Sequence, residues 1–258
     1  VVLYHANCVD GFYAHVLLRK MFNDTTSDEM AHVKDYQLVP YQTNIGNWYI
    51  PVAYEDTKTF PTELYEIVRG KHVIVVDFSF EIPSLRVLSG LAKSVLIIDH
   101  HKTLLERVVK HNDEPLHGEA IRMMRLPSVS RINPIQCLLP APEFKYFGVP
   151  DDEQDMFPPF ANTLVIYDSN YCGSILTAAL FGDLSVDELD HIHDELLFFI
   201  QDYDLYKLSH PNTKAVNTSL HLNMYISSIY HWCNFDRWWD DTWGDQCVDT
   251  GDALLHKE

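Results

Sequence analysis

Four short apolar runs constrain the fold of this chain more than any other feature: Val1–Tyr4, His72–Val76, Val95–Ile98 and Thr163–Tyr167. They are rich in Val and Ile and do not alternate between polar and apolar residues. A strand with only one covered face alternates, whereas a parallel strand covered on both faces reads as a continuous apolar run. Helical patterns separate the runs. Asp10–Phe22 carries an apolar stripe at Phe12, Val16, Leu17 and Met21, and further helices are expected over Thr62–Val68, Ile82–Leu91, Lys102–Val109 and Gly173–Phe181. A longer helix from about Ser185 to Tyr203 opens with Ser185-Val-Asp-Glu, the pattern of a capping box. Strands and helices alternating at these lengths predict an α/β fold: a doubly wound, mostly parallel five-stranded sheet flanked by helices. The weaker run Tyr36–Tyr41 supplies the fifth strand.

Eight prolines interrupt this rhythm between residues 112 and 160. That stretch is expected to be a long insertion with little regular structure, a lid or partner-binding loop. The first domain therefore runs from 1 to 210 around this insertion. Residues 211–258 form a helical, aromatic extension or the start of a further domain. Within it, Trp232, Trp238, Trp239 and Trp243 could stack nucleobases, but such a cluster is more often apolar packing or a homo-oligomer interface. The tail Thr250–Glu258 reads as the opening of another helix. The chain starts with Val rather than Met, so its start is expected to be trimmed.

Composition narrows the function. Of the 258 residues, 47% are hydrophobic, enough for a sizeable core, and no apolar stretch approaches the roughly 20 residues of a membrane helix. The 19 Lys and Arg against 37 Asp and Glu give −18, of which −16 falls after residue 110. So acidic a surface argues against binding along long duplex nucleic acid, which needs a basic face. A small phosphorylated substrate held through a metal is compatible with it. Five scattered cysteines and no apparent secretion signal suggest a reduced, cytoplasmic protein.

The chemistry lies just beyond the end of each strand. The first run leads to His5, Cys8 and Asp10-Gly11, the second to Asp77 and Ser79, and the third to Asp99-His100-His101. Ligands of open α/β sheets bind beyond the carboxyl ends of the strands, so these residues should meet in one crevice. A single Asp after a strand is ordinarily a helix cap; three strands ending in Asp or His exceed what capping needs. Carboxylates with neutral imidazoles suit Mn²⁺, Zn²⁺ or Fe²⁺, and a carboxylate-rich set favours the harder Mn²⁺. Two such ions roughly 3.5–4 Å apart can clamp a phosphoryl oxygen and generate hydroxide. His191 and His193, and His15, His32, His72, His111, His117, His210, His221, His231 and His256, read as surface or packing residues.

With Asp99-His100-His101 after an apolar strand, Tyr4-His5-Ala-Asn-Cys8-Val-Asp10-Gly11-Phe12 upstream and Val76-Asp77-Phe78-Ser79 between, the chain resembles the DHH phosphoesterase superfamily. It is most similar to the oligoribonuclease (nanoRNase) branch, with Cys172-Gly173-Ser174 and Asp202-Tyr203-Asp204-Leu205-Tyr206 as further matches. The resemblance covers about residues 1–210 and implies Mn²⁺-dependent hydrolysis of short oligonucleotides or small nucleotides by two metal ions, with Mg²⁺ or another divalent ion as substitute. It implies that Asp77 bridges the metals. His5 and the Cys8 position would complete one; Asp10, His100 and Asp202 would complete the other, with Asp204 the alternative to Asp202. Asp99 would be a ligand or would orient an imidazole, His101 would face the substrate phosphate, and Ser79 and Ser174 would contact substrate. Two departures stand out: many relatives have Asp where Cys8 stands, and the Gly-rich-His motif of their C-terminal substrate domain is absent. Alternative readings are a pyrophosphatase-like phosphoanhydride hydrolase and a non-catalytic adaptor that keeps the fold.

Overall fold

A computed structural model of the chain describes residues 1–24, 32–35, 37–113, 120–125, 160–181, 195–227, 232 and 241–256. In it the apolar runs are the middle of a mostly parallel sheet. Strands β1 (Val2–His5), β5 (Trp48–Val52), β6 (His72–Val76), β7 (Ser94–Asp99) and β9 (Thr163–Tyr167) all run parallel, and β8 (Arg122–Met124) joins β9 in the same sense. The short β4 (Tyr41–Gln42) adds an antiparallel edge on β5, giving seven strands in the order β4-β5-β1-β6-β7-β9-β8. Val33–Lys34 (β2) and Gln37–Leu38 (β3) form a separate hairpin.

The sheet therefore has seven strands rather than five, and the fifth expected strand is misplaced. Of Tyr36–Tyr41, Gln37–Leu38 belongs to the hairpin and Tyr41 to the edge strand, while residue 36 lies outside the described residues. The true neighbour of β1 is β5, whose Pro51 disguises it, because proline cannot donate to a ladder. Val52 O accepts from Ala6 N at 2.9 Å, so the backbone of Pro51, one residue earlier, points away from β1. There β4 no longer pairs with it: its partners are only Trp48 and Tyr49. The stretch read as an unstructured insertion also contributes β8 to the sheet edge; residues 114–119 and 126–159 lie outside the described residues.

Both faces of the sheet are covered. On one, Val2, Tyr4, Ile74, Val76, Leu96, Ile98, Leu164 and Ile166 pack in one core with α1 (Val9–Met21), α5 (Gly173–Phe181), α6 (Glu195–Asp204) and α7 (Thr213–Ile226). On the other, Leu3, Val73, Val75, Val95, Ile97 and Val165 pack with α2 (Tyr65–Val68), α3 (Ile82–Leu91) and α4 (Lys102–Asp113). Residues adjacent in a strand point to opposite faces, so runs buried on both sides need these two cores. Only the end of the long helix expected from Ser185 is described, as α6; the capping box at Ser185 lies outside the described residues. Val216, Leu220 and Met224 of α7 belong to the first core, so the segment beyond 210 packs on the same body. Trp232 is buried there, 5.0 Å from Phe12. Trp238 and Trp239, and the side chain of Trp243, lie outside the described residues. Of the expected tail helix, Thr250–Leu255 is the end of α8 (Asp241–Leu255). It meets α7 where a Cβ at Gly251 would collide with the Ala215 backbone.

In chain order the five long parallel strands occupy positions 2-1-3-4-5. The order reverses between β1 and β6. After β1 the chain turns to the α1 face, and after β6 to the α3 face, which opens a crevice at their carboxyl ends. That crevice receives the polar residues at the strand ends.

Candidate metal centre

Four segments build the site. His5 ends β1, Cys8 stands at the N-cap of α1 and Asp10 lies in its first turn. Asp77 comes directly after β6 in the left-handed region, with φ of 62°. Such a backbone is costly for a residue other than Gly and persists where the surroundings over-determine it. Asp99 ends β7 and delivers His100 and His101. Asp204 closes α6.

Asp77 is fully buried and its two oxygens face different partners. Oδ2 lies 3.2 Å from His5 Nδ1, and Oδ1 lies 3.1 Å from His100 Nε2. Asp204 Oδ2 is 3.2 Å, and Asp10 Oδ2 4.0 Å, from that same His100 nitrogen. Three carboxylates therefore converge on one imidazole nitrogen, which carries at most one proton. Asp204 Oδ2 is left buried with no hydrogen-bond partner. A buried, unpaired carboxylate oxygen is costly, and a cation among these groups would satisfy it. The side chains accordingly form three sets whose ligand atoms lie within 4.8 Å of one another: His5, Cys8 and Asp77; Asp10, His100 and Asp204; Asp77, Asp99, His100 and His101. These acidic and histidine clusters could hold metal ions, and Asp77 belongs to two of them.

Two glycines make the approach feasible. A Cβ on Gly173 would stand 2.8 Å from Asp77 Cβ and 2.9 Å from Asp10 Oδ2. One on Gly11 would stand 2.7 Å from His5 Cβ. Asp10 is held from behind by Gly173 N (2.6 Å), Ser174 N (2.8 Å) and Ser174 Oγ (2.5 Å), at the N-terminus of α5. That is where a helix favours negative charge.

The electrostatics come from crowding. Burial, then the charges of Asp77 and Asp204, hold the Asp10 carboxyl well above its usual range. Burial, then Asp77, push Asp204 up to about 6. Burial, then Asp77, Asp10 and Asp204, raise the Cys8 thiol. Burial opposes charge on His100, but its bond to Asp77 and the charges around it push it up to about 10. Asp77 is shifted the other way: burial opposes its charge, but the hydrogen bonds from His100 and His5 win. Asp99 Oδ1 accepts from His100 N (2.7 Å), His101 N (3.1 Å) and His101 Nδ1 (2.7 Å). Burial disfavours the His101 cation, yet the Asp99 bond raises its pKa.

Several expected roles are corrected by placement. Asp202 does not point into the cluster. Its Oδ1 accepts from Ser209 N (2.9 Å) and Ser209 Oγ (2.6 Å), and its Oδ2 from His210 N (3.3 Å) and Thr213 Oγ1 (2.5 Å). It ties the loop after α6 to the start of α7, and Asp204 takes the place expected for it beside His100. Ser174 is buried and donates to Asp10, and Ser79 is buried and donates to Phe80 O at 3.1 Å, so neither faces an open crevice. Asp168, just after β9, is an ordinary turn residue that accepts from Asn170 N at 3.0 Å.

Sequence reasoning missed Tyr54, in the turn after β5. Its ring stands 5.1 Å from that of His5 and 6.1 Å from that of His101. Only the aromatic residue after Pro51-Val52 could have signalled it, and β5 itself was unrecognised. Asn7 was passed over as well; in the left-handed region (φ 59°), it accepts from Tyr225 Oη at 2.8 Å and so ties the β1–α1 turn to α7.

One curated relative is similar to part of the chain. An uncharacterized protein of Acanthamoeba polyphaga mimivirus is 30% identical over 104 residues, 40% of this chain. The match spans 22% of the viral protein's own length. No protein-family model and no solved structure matches the chain. Among the described residues no helix is long and apolar enough to cross a membrane.

Proposed function

We propose that this chain is a metal-dependent phosphoesterase with a two-metal site, which hydrolyses phosphodiester bonds in short oligonucleotides or small nucleotides. The observation that carries the proposal is Asp77, a buried carboxylate whose two oxygens face separate ligand sets at the switch point of the sheet. His5, Cys8 and Asp77 would hold one cation; Asp77, Asp10, His100 and Asp204 would hold the other. The oxygen-rich second set suits Mn²⁺, with Mg²⁺ as substitute. When bound, a cation pair supplies Lewis-acid charge for the phosphoryl oxygens and lowers the pKa of water. The order of the DHH-type motifs along the chain agrees with this reading.

The chain's own residues supply the rest. Asp99 holds His101 through Nδ1 and leaves Nε2 for a phosphate oxygen. The Asp99 bond raises the His101 pKa and so favours the imidazolium, the form that would attract the phosphate and could protonate the departing oxygen. Gly173 N and Ser174 fix Asp10 in one orientation, and the Asp202 bonds fix the loop after Asp204, so the donors are preorganised. The acidic charge of the chain favours short substrates, since each phosphate contact not made forfeits counterion release. Dinucleotides to pentanucleotides should be preferred over long RNA or duplex DNA.

The test is a Mn²⁺-supplemented screen over dinucleotides, 24-mer RNA, cyclic dinucleotides, pyrophosphate and bis-p-nitrophenyl phosphate. Turnover of the dinucleotides, abolished by chelation, is expected. Full turnover in excess EDTA after dialysis would overturn the two-metal reading. Hydrolysis of pyrophosphate alone would replace the esterase by a phosphoanhydride hydrolase.

A further inference from the structure

The proposed centre explains the carboxylates and imidazoles but not the aromatic ring beside them. Tyr54 lies in a single 3₁₀ turn, Tyr54–Thr57, just after β5, the strand next to β1. Its ring is nearly perpendicular to both flanking imidazoles, at interplanar angles of 76° to His5 and 81° to His101. The two rings belong to different strand ends, so Tyr54 spans the mouth of the crevice. It nevertheless remains 44% exposed. Thr103 in the first turn of α4 and Arg107 of the same helix lie near its hydroxyl. A half-open ring packed beside two imidazoles offers surface to a ligand without being consumed by the core.

We propose that Tyr54 is the platform on which the base of a nucleotide stacks while its phosphate lies beside His101. The inference rests on the phosphoesterase reading and names what its substrate must carry: a planar base one ribose away from the phosphate at the metals. The placement agrees, because the Tyr54 and His101 rings are neighbours, 6.1 Å apart, so a base on the tyrosine would lie close to a phosphate at His101. The chemistry agrees as well. Every base has a π-face, so a single tyrosine gives sequence-tolerant grip, and the neighbouring Arg107 adds a cation for a second phosphate. An acidic chain that gains little from phosphate contacts needs an uncharged source of affinity, and stacking provides one. Tyr54 would thus select nucleotides over base-free phosphate esters and over pyrophosphate.

The experiment compares binding of AMP and ribose 5-phosphate to the full chain in Mn²⁺, by calorimetry, for the wild type, Tyr54→Phe and Tyr54→Ala. Wild type should bind AMP more tightly than ribose 5-phosphate by about 5- to 150-fold, the range conferred by stacking one base. Tyr54→Phe should retain that ratio and Tyr54→Ala should collapse it to within about twofold. A wild-type ratio near one would overturn the proposal. So would a Tyr54→Ala protein that weakens both ligands equally, because the ring would then only position the imidazoles. Because the readout is binding, it remains decisive if no ester is hydrolysed. A preserved AMP preference without turnover would sink the phosphoesterase reading and leave the stacking site standing.

Discussion

Asp202 and Asp204 lie two residues apart at the end of one helix, and replacing each by Asn should shift the stability of the metal-free protein in opposite directions. Asn is isosteric, so no cavity confuses the comparison. At 202 the carboxylate accepts four hydrogen bonds, two on each oxygen. An amide has one acceptor oxygen, so two donors would meet an NH₂ group. Losing two charge-assisted bonds at such a buried position costs about 3 kcal/mol. For a domain of this size that lowers Tm by about 6–12 °C. At 204 the sign reverses. The folded-state pKa, about 6, lies above the ordinary 3.8, so the folded protein binds that proton more tightly than the unfolded chain does. The ionised group therefore penalises the fold as pH rises through 3.8 to 6, and the penalty is complete above that. A shift of this size corresponds to about 2–3 kcal/mol, so Asp204→Asn should raise the metal-free Tm at pH 7.5 by about 4–12 °C. The assay is calorimetric melting in EDTA, repeated with Mn²⁺. Added Mn²⁺ should raise the wild-type Tm by more than that of Asp204→Asn, which lacks a ligand of one set. An Asp202→Asn protein as stable as wild type, or an Asp204→Asn protein that melts lower in EDTA, would refute the reasoning.

The same geometry sets three further outcomes. Metal binding at pH 7.5 should release at least one proton, because His100 is pushed up to about 10 without a cation and must lose that proton for Nε2 to ligate, and the raised Cys8 thiol must lose its own if it ligates. Calorimetric titrations in buffers of different ionisation heat measure the release, and none at all would remove His100 from the ligand set. Gly173→Ala should weaken metal binding by about 10–100-fold, since the new Cβ at 2.8 Å from Asp77 Cβ must displace Asp77 or Asp10; an affinity within twofold of wild type would show the clearance to be unimportant. His32 is depressed to about 4 by burial, then by Arg19, against the pull of its bond to Met224 O. The folded state thus excludes its proton. Stability is full above pH 6.5 and falls towards pH 4, by about 3 kcal/mol from this group. Urea midpoints across that window should drop less steeply in His32→Gln, and an unchanged slope would contradict the assignment.

What was readable in the sequence divides along a physical line. The interior strands β1, β6, β7 and β9 were legible because burial on both faces leaves a run with no polar alternation. β5 was not, because Pro51 reads as a strand breaker, and its tolerance depends on where β4 stops pairing, a tertiary fact. His5, Asp10, Asp77, Asp99 and His100 were legible as residues at strand ends, since parallel strands in one sheet bring their carboxyl ends together whatever the loops do. Asp204 against Asp202 was not legible. Both sit at a helix end, and the choice depends on Ser209, His210 and Thr213 occupying one carboxylate. Ser174 was misassigned for a related reason. A serine opening a helix can face a ligand or a neighbouring side chain, and Asp10 arrives from a part of the chain 164 residues away to claim it.

The cost of the site is concentrated in residues that contribute little to the cores. Asp77 and Asn7 occupy left-handed backbone, as do Tyr206 and Leu208 just beyond Asp204. These four are most of the positive-φ residues other than glycine among the described residues. Asp10, Asp77 and Asp204 repel one another behind closed van der Waals contacts at Gly11 and Gly173. None of these features stabilises the metal-free fold, and they meet at one end of the sheet while two apolar cores hold its faces. Strain and like charge placed together in this way lower the free energy gap only locally. These turns therefore belong to the least stable part of the molecule, and if the clusters hold cations as proposed, metal binding should protect the amides of residues 5–11, 77–80, 99–103 and 202–210 from hydrogen exchange more than those of β6 or β7. The linkage runs through Asp77, whose two oxygens reach both imidazole-bearing strand ends, through His5 and His100. In the proposed two-metal site a single carboxylate would thus couple the order of the two halves, and occupation of either half would preorganise the other.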